Sequence, residues 1–368
     1  MFFLPISTFI DNLLLILLVL VTFFVKIKFY QLKQIGLDSL LLFFVYILML
    51  GLITMNFETK EYIKLLPLVV IPYILTYIRK EIILNGLCFL LIAVVIKQLI
   101  SIYGIIDYYY FMEGKKVALR SYAGINEILG FERPYLGFFS ALNVIIAYYF
   151  FKDKRIIVFI LICFLSIVVV ALISARLGLI IILASLFCML LSNMKKVLKY
   201  IVISLSLIIL ILFTQTNNPL KNRFQQIKYD TRLIVWEGAL KISAENSDFI
   251  FGLKSQYEIK KRLIYFYENE VEFDYLPDKI RFMSKKYNTH NQYLNEILRG
   301  GGIAIILLLL PFSSCLYFSV KNRNLTFTLL LLSVLVFFLV ENVLARQIGI
   351  YITAIILSLT RKVENEEN

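Results

Sequence analysis

Residues 82–106 read I-I-L-N-G-L-C-F-L-L-I-A-V-V-I-K-Q-L-I-S-I-Y-G-I-I and hold one charged side chain, Lys97. As a helix, a run of this length spans about 37 Å, more than the ~30 Å hydrocarbon core of a bilayer. Further apolar runs recur to the end of the chain, which is 60% hydrophobic with a mean hydropathy of +0.82. This pattern predicts an all-α polytopic membrane protein. Eleven spans are expected, at about 10–29, 37–57, 62–78, 82–106, 134–151, 156–173, 177–192, 197–213, 300–320, 325–343 and 347–360. No small-residue cleavage site follows the first run, which is therefore read as a span and not as a signal peptide.

The formal charge of +13 would suggest nucleic acid in a soluble protein. Here it concentrates in short loops: Lys26, Lys28 and Lys33; Arg79 and Lys80; Lys152, Lys154 and Arg155; Lys195, Lys196 and Lys199; Lys321 and Arg323; Arg361 and Lys362. Each cluster follows an odd-numbered span. Positive loops mark the cytoplasmic side, so the N-terminus is expected outside and the C-terminal tail inside. Cys88, Cys163, Cys188 and Cys315 each sit within an apolar run without metal-ligand spacing, and they read as small buried residues.

The expected division is a transmembrane bundle at 1–213, an outer cap at 214–289, and C-terminal transmembrane helices with a short cytoplasmic tail at 290–368. Residues 220–244 are amphipathic, with Phe224, Ile227, Leu233, Ile234, Trp236, Leu240 and Ile242 among polar neighbours. Part of this stretch is expected as a helix on the membrane surface. Residues 245–289 carry more charge and tyrosine and are expected to fold as a cap. A smaller outer loop, 107–133, contributes Arg120 and Arg133, with Tyr135 just beyond.

The unusual polar residues fall on the outer side of this topology. Arg176, in S-A-R-L-G-L, lies between two spans, where it snorkels to headgroups or binds an anionic group. Arg232 and Trp236 share one helical face at i, i+4. That face reads as an interfacial anchor or as a cation held toward a phosphate, for which the planar guanidinium fork is suited. His290 is the only histidine in the chain. With Thr289 or Asn288 as N-cap, it opens a helix running into the next span, and its imidazole can accept a proton near neutral pH. Asn291 and Glu296 are placed to orient His290 or a substrate. Gly300, Gly301 and Gly302 allow the helix to bend. Glu341 and Asn342 close one span and Arg346 and Gln347 open the next; Glu341 and Arg346 are expected to neutralise each other. Only Lys97, beside Gln98, falls at mid-span, where a transporter would concentrate its ionisable groups. The alternation Glu268, Glu270, Glu272, Asp274 reads as a solvated face, and no metal site or cofactor is expected.

Three segments carry a resemblance: S-A-R-L-G at 174–178; T-R-L-I-V-W-E-G-A-L at 231–240 with F-G-L at 251–253; and H-N-Q-Y-L-N-E-I-L-R-G-G-G at 290–302. With E-N-V-L-A-R-Q-I-G at 341–349, they are similar to the O-antigen ligase and O-antigen polymerase superfamily. The resemblance covers roughly 170–350; the N-terminal half matches by hydropathy alone. It implies a metal-independent glycosyltransferase of GT-C-like architecture in the bacterial inner membrane, with its site facing the periplasm. The implied donor is a glycan on undecaprenyl pyrophosphate. The implied acceptor is lipid A-core for a ligase, or another lipid-linked repeat unit for a polymerase. Ligases commonly have twelve spans, one more than expected here.

Taken together, His290 is expected as general base, with Arg232 and Arg176 on the pyrophosphate. Trp236, Asn291, Tyr293, Glu341 and Arg346 complete the expected substrate-binding set. The ligase description is preferred, with the polymerase as alternative. A glycan-lipid transporter is a third reading, disfavoured by the long cap and the scarcity of mid-membrane charge.

Overall fold

A computed structural model describes residues 1, 3–6, 8–24, 38–54, 59–75, 78–110, 124–153, 155–192, 231–245, 249–271, 276–285 and 288–365. The expected span 197–213, Arg120, Phe224 and Ile227 lie outside the described residues. Regular structure among the described residues is helical, as the continuous apolar runs predict. Ile125–Phe151, Lys80–Tyr110 and Gln292–Lys321 are each long and apolar enough to cross a membrane. Shorter apolar helices occur at Asp38–Ile53, Ile156–Leu172, Arg176–Leu191, Leu325–Phe338 and Gln347–Thr360.

In chain order the helices are α1 (Thr8–Phe24), α2 (Asp38–Ile53), α3 (Thr59–Leu65), α4 (Pro67–Leu75), α5 (Lys80–Tyr110), α6 (Ile125–Leu129), α7 (Arg133–Phe151), α8 (Ile156–Leu172) and α9 (Arg176–Leu191). After the undescribed stretch come α10 (Thr231–Glu245), α11 (Gln256–Asn269), α12 (Leu276–Lys285), α13 (Gln292–Lys321), α14 (Leu325–Phe338) and α15 (Gln347–Asn365). Two expected spans are corrected. The run 62–78 is two short helices: Pro67 lacks an N–H and opens α4 as a new helix. The run 325–343 stops at Phe338, and Val343–Ala345 form a separate 3-10 turn.

The contacts divide the chain into two compact units. The first holds Met1–Leu14, Lys80–Ile227 and Asn324–Ser333; the second holds Leu15–Arg79, Lys228–Arg323 and Val334–Asn368. Helices α10 to α12 therefore group with α13 and α15, and with early helices of the chain.

Within the first unit α7 is the central element. It is buried from Tyr135 to Tyr148 and packs on α5, α8 and α9. The S-A-R-L-G segment gives the α7–α9 contact its closeness: a Cβ on Gly178 would lie 2.5 Å from the Gly137 carbonyl oxygen. Small residues let helix backbones approach in this way where lipid supplies no hydrophobic drive between helices. The interior is also polar. Gln98 on α5 donates to Ser140 on α7 at 2.9 Å and lies 3.1 Å from Ser166 on α8. Lys97 donates to the Gly130 carbonyl, and its ammonium lies 5.6 Å from the Phe131 ring centroid.

The second unit is built around α13, which packs on α2, α10 and α15. Its amino-terminal part meets the cap core, where Val235, Ala239 and Ile242 of α10 join Ile259, Leu263, Phe266 and Tyr267 of α11, Phe282 of α12, and Leu298. The apolar face of α10 is thus covered by protein, with Leu233 and Leu240 left exposed. That differs from a helix lying with its whole apolar face in lipid.

Candidate active site

The site is set up by a break in α13. Gly301 has φ 64° and ψ −157°, a conformation essentially restricted to glycine. A break frees backbone groups that cost several kcal/mol each if left bare in an apolar setting. Here they are taken up. The Leu298 and Arg299 carbonyls accept from Leu253 N–H at 2.7 Å and Lys254 N–H at 2.8 Å. The Gly300 carbonyl accepts from the Tyr46 hydroxyl at 2.8 Å, and Gly302 N–H donates to the Phe249 carbonyl at 3.0 Å. The brace is the F-G-L segment, whose Gly252 has φ 64° and would place a Cβ 2.7 Å from Leu298 O. The glycine run and F-G-L, widely separated in sequence, are two halves of one joint.

At the head of α13 the N-cap is Asn291, whose Oδ1 accepts from Leu294 N–H at 3.0 Å. This moves the helix start one residue past His290, where Thr289 or Asn288 was expected to cap. His290 therefore sits outside the helix, with φ 43°, a backbone state uncommon for a non-glycine residue. Its neighbours hold it there. His290 N–H donates to Asn288 Oδ1 at 3.1 Å, and Asn291 N–H donates to Asn342 Oδ1 at 2.8 Å. The buried Thr289 hydroxyl lies 2.9 Å from the same Asn342 oxygen. Leu344 N–H donates to Gln292 Oε1 at 2.8 Å, which ties the 341–346 turn to the first turn of α13.

Because of these ties, Glu341 faces His290. Its Oε2 lies 3.5 Å from His290 Nδ1, and its Oε1 accepts from Arg232 Nη2 at 2.8 Å. One carboxylate thus bridges an imidazole and a guanidinium drawn from residues 51 and 109 positions away in sequence. The expected neutralisation of Glu341 by Arg346 is replaced by this bridge. Burial pushes the Glu341 carboxyl up, but the His290 hydrogen bond and the Arg232 charge outweigh it and hold the group below its usual range. His290, at 30% side-chain exposure, and Arg232, at 26%, remain accessible, whereas Glu341 is at 15%.

The other expected residues are placed as follows. Trp236 is one turn beyond Arg232 on α10, with its indole nitrogen buried and no hydrogen-bond acceptor among the described residues. The Tyr293 hydroxyl donates to the Leu335 carbonyl at 2.8 Å, and its ring packs edge-on against Phe338, so it ties α13 to the end of α14. Asn291 acts through its cap. Glu296 does not touch His290: its Oε1 accepts from Gln292 Nε2 at 2.7 Å and Asn295 Nδ2 at 3.1 Å. Arg346 lines a separate polar cavity described below. Arg176 opens α9 in the first unit. Among the described residues no group of three or more His, Cys, Asp or Glu is arranged to hold a metal ion.

Sequence reasoning missed Asn342 as the anchor of the His290 turn and Glu341 as the partner of the imidazole. The adjacent pair Glu341-Asn342, polar at the end of an apolar run, was the available signal. It named Asn288 only as a possible helix cap, and it missed Gln292, Asn295 and Arg299. The last three, with Glu296, form a polar stripe at helical spacing on one face of an otherwise apolar helix.

Fold and site together define a helical membrane protein with a charged site built where a helix breaks and begins. Residues 161–309 match the family described as O-antigen ligase, which supports the resemblance to O-antigen ligases and polymerases over that stretch. The matched stretch contains Arg176, Arg232 and His290, but not Glu341. Comparison with curated proteins gives no match.

Proposed function

We propose that the protein transfers a glycan from undecaprenyl pyrophosphate to an acceptor hydroxyl at the periplasmic face of the bacterial inner membrane. The acceptor is lipid A-core, as for an O-antigen ligase. The observation that carries this reading is the Arg232–Glu341–His290 bridge. The family match over residues 161–309 and the basic loops expected on the cytoplasmic side support it, as does the GT-C-like character expected of a helical membrane bundle with an outer cap.

In this mechanism ionised Glu341 receives a hydrogen bond from Nδ1–H of His290 and so selects the tautomer whose lone pair is on Nε2. Nε2 takes the proton of the acceptor hydroxyl as its oxygen attacks the anomeric carbon. The bond from that carbon to the phosphate oxygen breaks, and its electron pair leaves with undecaprenyl pyrophosphate. Arg232 stabilises the charge that grows there, having further N–H donors beyond the one on Glu341. In-line attack inverts the anomeric centre. The 3.5 Å separation of His290 and Glu341 is long, as is common for catalytic pairs before the substrate is bound. Arg176 stays in this proposal as a second phosphate-binding cation on its sequence motif alone.

The test is a deletion strain complemented with wild-type or His290→Ala protein, with surface glycolipids resolved by length and the carrier-lipid pool extracted. A general base contributes about 10²- to 10⁴-fold, so His290→Ala should abolish detectable transfer at normal protein levels. Long polymer stranded on the carrier identifies the ligase, and core bearing single repeats identifies the polymerase. Normal glycolipids from His290→Ala sink the transferase mechanism.

A further inference from the structure

Beside the His290 turn, the second unit contains a polar cavity of about 230 Å³. Its wall comes from α3 (Glu61, Lys64), α11 (Gln256, Lys260), the face of α13 carrying Gln292, Asn295, Glu296 and Arg299, and the 342–346 turn. His290, Glu341 and Arg232 are not part of the wall. Their neighbours are: Asn288, which accepts from His290 N–H, and Asn342, which anchors the same turn.

Glu296 is the unusual member. It is 1% exposed and sits in the second turn of a helix long and apolar enough to cross a membrane. A carboxyl there is expensive and marks a functional position by default. Two side-chain amides, Gln292 and Asn295, hold Oε1. No donor among the described residues reaches the buried Oε2. Asn295 is itself fixed by Gln256 Nε2 at 3.1 Å, so the carboxyl is clamped in one orientation with one oxygen uncommitted.

The remaining wall defines the chemistry that fits. Glu61 lies 3.7 Å from Lys260 and 3.8 Å from Arg299, so part of the charge is neutralised within the wall. The wall carries four cations, Lys64, Lys260, Arg299 and Arg346, against Glu61 and Glu296, and its polar surface disfavours a lipid tail. Amides, two ammonium groups, two guanidinium groups and carboxyl groups line the space. That set both donates to and accepts from hydroxyl groups. Pockets for drug-sized ligands run to roughly 300–1,000 Å³, so this cavity suits one ring and not an oligosaccharide.

We propose that this cavity is the seat of one sugar ring of the acceptor, with Glu296 Oε2 accepting a ring hydroxyl. The assignment to the acceptor rests on the proposed function. A general base must stand beside the acceptor hydroxyl, and the cavity begins at the residues that hold His290. Glu296 is then a specificity-determining residue that touches substrate but takes no proton in the reaction.

The test uses purified full-length protein in nanodiscs and ligand-observed saturation-transfer NMR. The probes are the methyl glycosides of glucose, galactose, N-acetylglucosamine and glucuronic acid at millimolar concentration. Wild type and His290→Ala should both bind at least one glycoside. Glu296→Gln should bind it at least tenfold more weakly and raise the acceptor KM in a transfer assay with little change in kcat. Ala345→Trp adds bulk at the cavity wall and should also block binding. Thermal unfolding of each variant separates lost binding from lost fold. Failure of every glycoside to bind wild type overturns the subsite, as does unchanged binding by folded Glu296→Gln and Ala345→Trp. Glycoside binding in a protein whose transfer does not depend on His290 removes the catalytic reading and leaves a sugar site with no assigned acceptor role.

Discussion

The two units bury polar groups in different ways. In the first, the interior carries Gln98, Ser140 and Ser166 on continuous helices, and the hydrogen bonds run from helix to helix. Lys97, a buried cation of this unit, donates to the carbonyl of Gly130, at the end of α6. In the second, the groups are charged, and they gather where helices break or begin: Glu296 and Arg299 just before the Gly301 break, His290 just before the α13 cap, Glu341 in the turn after α14. Uncharged polar groups on unbroken helices act as glue between them. Charged groups at helix ends have backbone polarity and solvent at hand to sustain them, and there they can do chemistry. The comparison predicts that substitutions in the uncharged polar interior of the first unit cost stability while sparing transfer, and that site substitutions in the second act mainly on transfer, except at the joint on which the site is mounted.

That exception should give the largest effect. A Cβ at Gly301 would sit 2.1 Å from the Ile250 carbonyl oxygen and 2.5 Å from the Phe249 oxygen, with a backbone state that L-residues avoid. Strain of about 1–3 kcal/mol adds to a similar overpacking cost. Gly301→Ala should therefore lose most folded protein, read as recovery of a monodisperse species after extraction and as a fall in Tm. Normal recovery with normal transfer would mean that the break in α13 is dispensable, and the contrast between broken and continuous helices would lose its meaning.

Glu341→Gln comes next, and it sharpens the contrast from the side of chemistry. Removing the charge that orients His290 should cut transfer about 100-fold, toward the lower end of a general base's contribution, with a modest fall in Tm at neutral pH. The pH dependence has a definite sign. Glu341 has a lower pKa in the folded chain than its ordinary value, so folding favours the ionised form. That stabilisation is complete above the ordinary carboxylate pKa of about 4.3 and disappears as pH falls through the lowered folded value. Wild-type Tm should drop more steeply than that of Glu341→Gln below about pH 4.3. Parallel curves would show that the bridge contributes nothing to the fold.

Much of this was legible in the sequence, for identifiable reasons. Continuous apolar runs set most helix positions, because lipid imposes a length and a composition on anything that crosses it. The H-N-Q-Y-L and T-R-L-I-V-W segments pointed to His290 and Arg232, which the fold brings onto one carboxylate. Two things were less accessible. The partner of Glu341 was expected nearby in sequence, at Arg346, because local pairs are visible at helical spacing and pairs 109 positions apart are not. The Glu296 cavity needed α3, α11, α13 and the 342–346 turn to converge, and only the polar stripe on α13 was readable beforehand. F-G-L was visible as a motif, but its task as the brace of the Gly301 break depends on backbone hydrogen bonds that leave no signature in side-chain pattern.

The smallest effect belongs to the first unit and decides whether its polar interior is glue alone. Gln98→Leu removes donors to Ser140 and Ser166 while leaving a side chain of similar bulk in a fully buried position. Interhelical hydrogen bonds in membranes contribute about 0.6 kcal/mol on average and up to about 1.7 kcal/mol. The variant should show a modest drop in unfolding free energy within that range, with transfer within about twofold of wild type, since no step of the proposed reaction runs through α5. Ser140 keeps its own bond to the Leu136 carbonyl at 2.8 Å, so the loss should not spread along α7. A large loss of transfer in a well-folded Gln98→Leu protein would break the comparison with which the two units were contrasted. It would mean that the uncharged cluster of the first unit takes part in the reaction, and that charge at helix ends is not the sole mark of function in this chain.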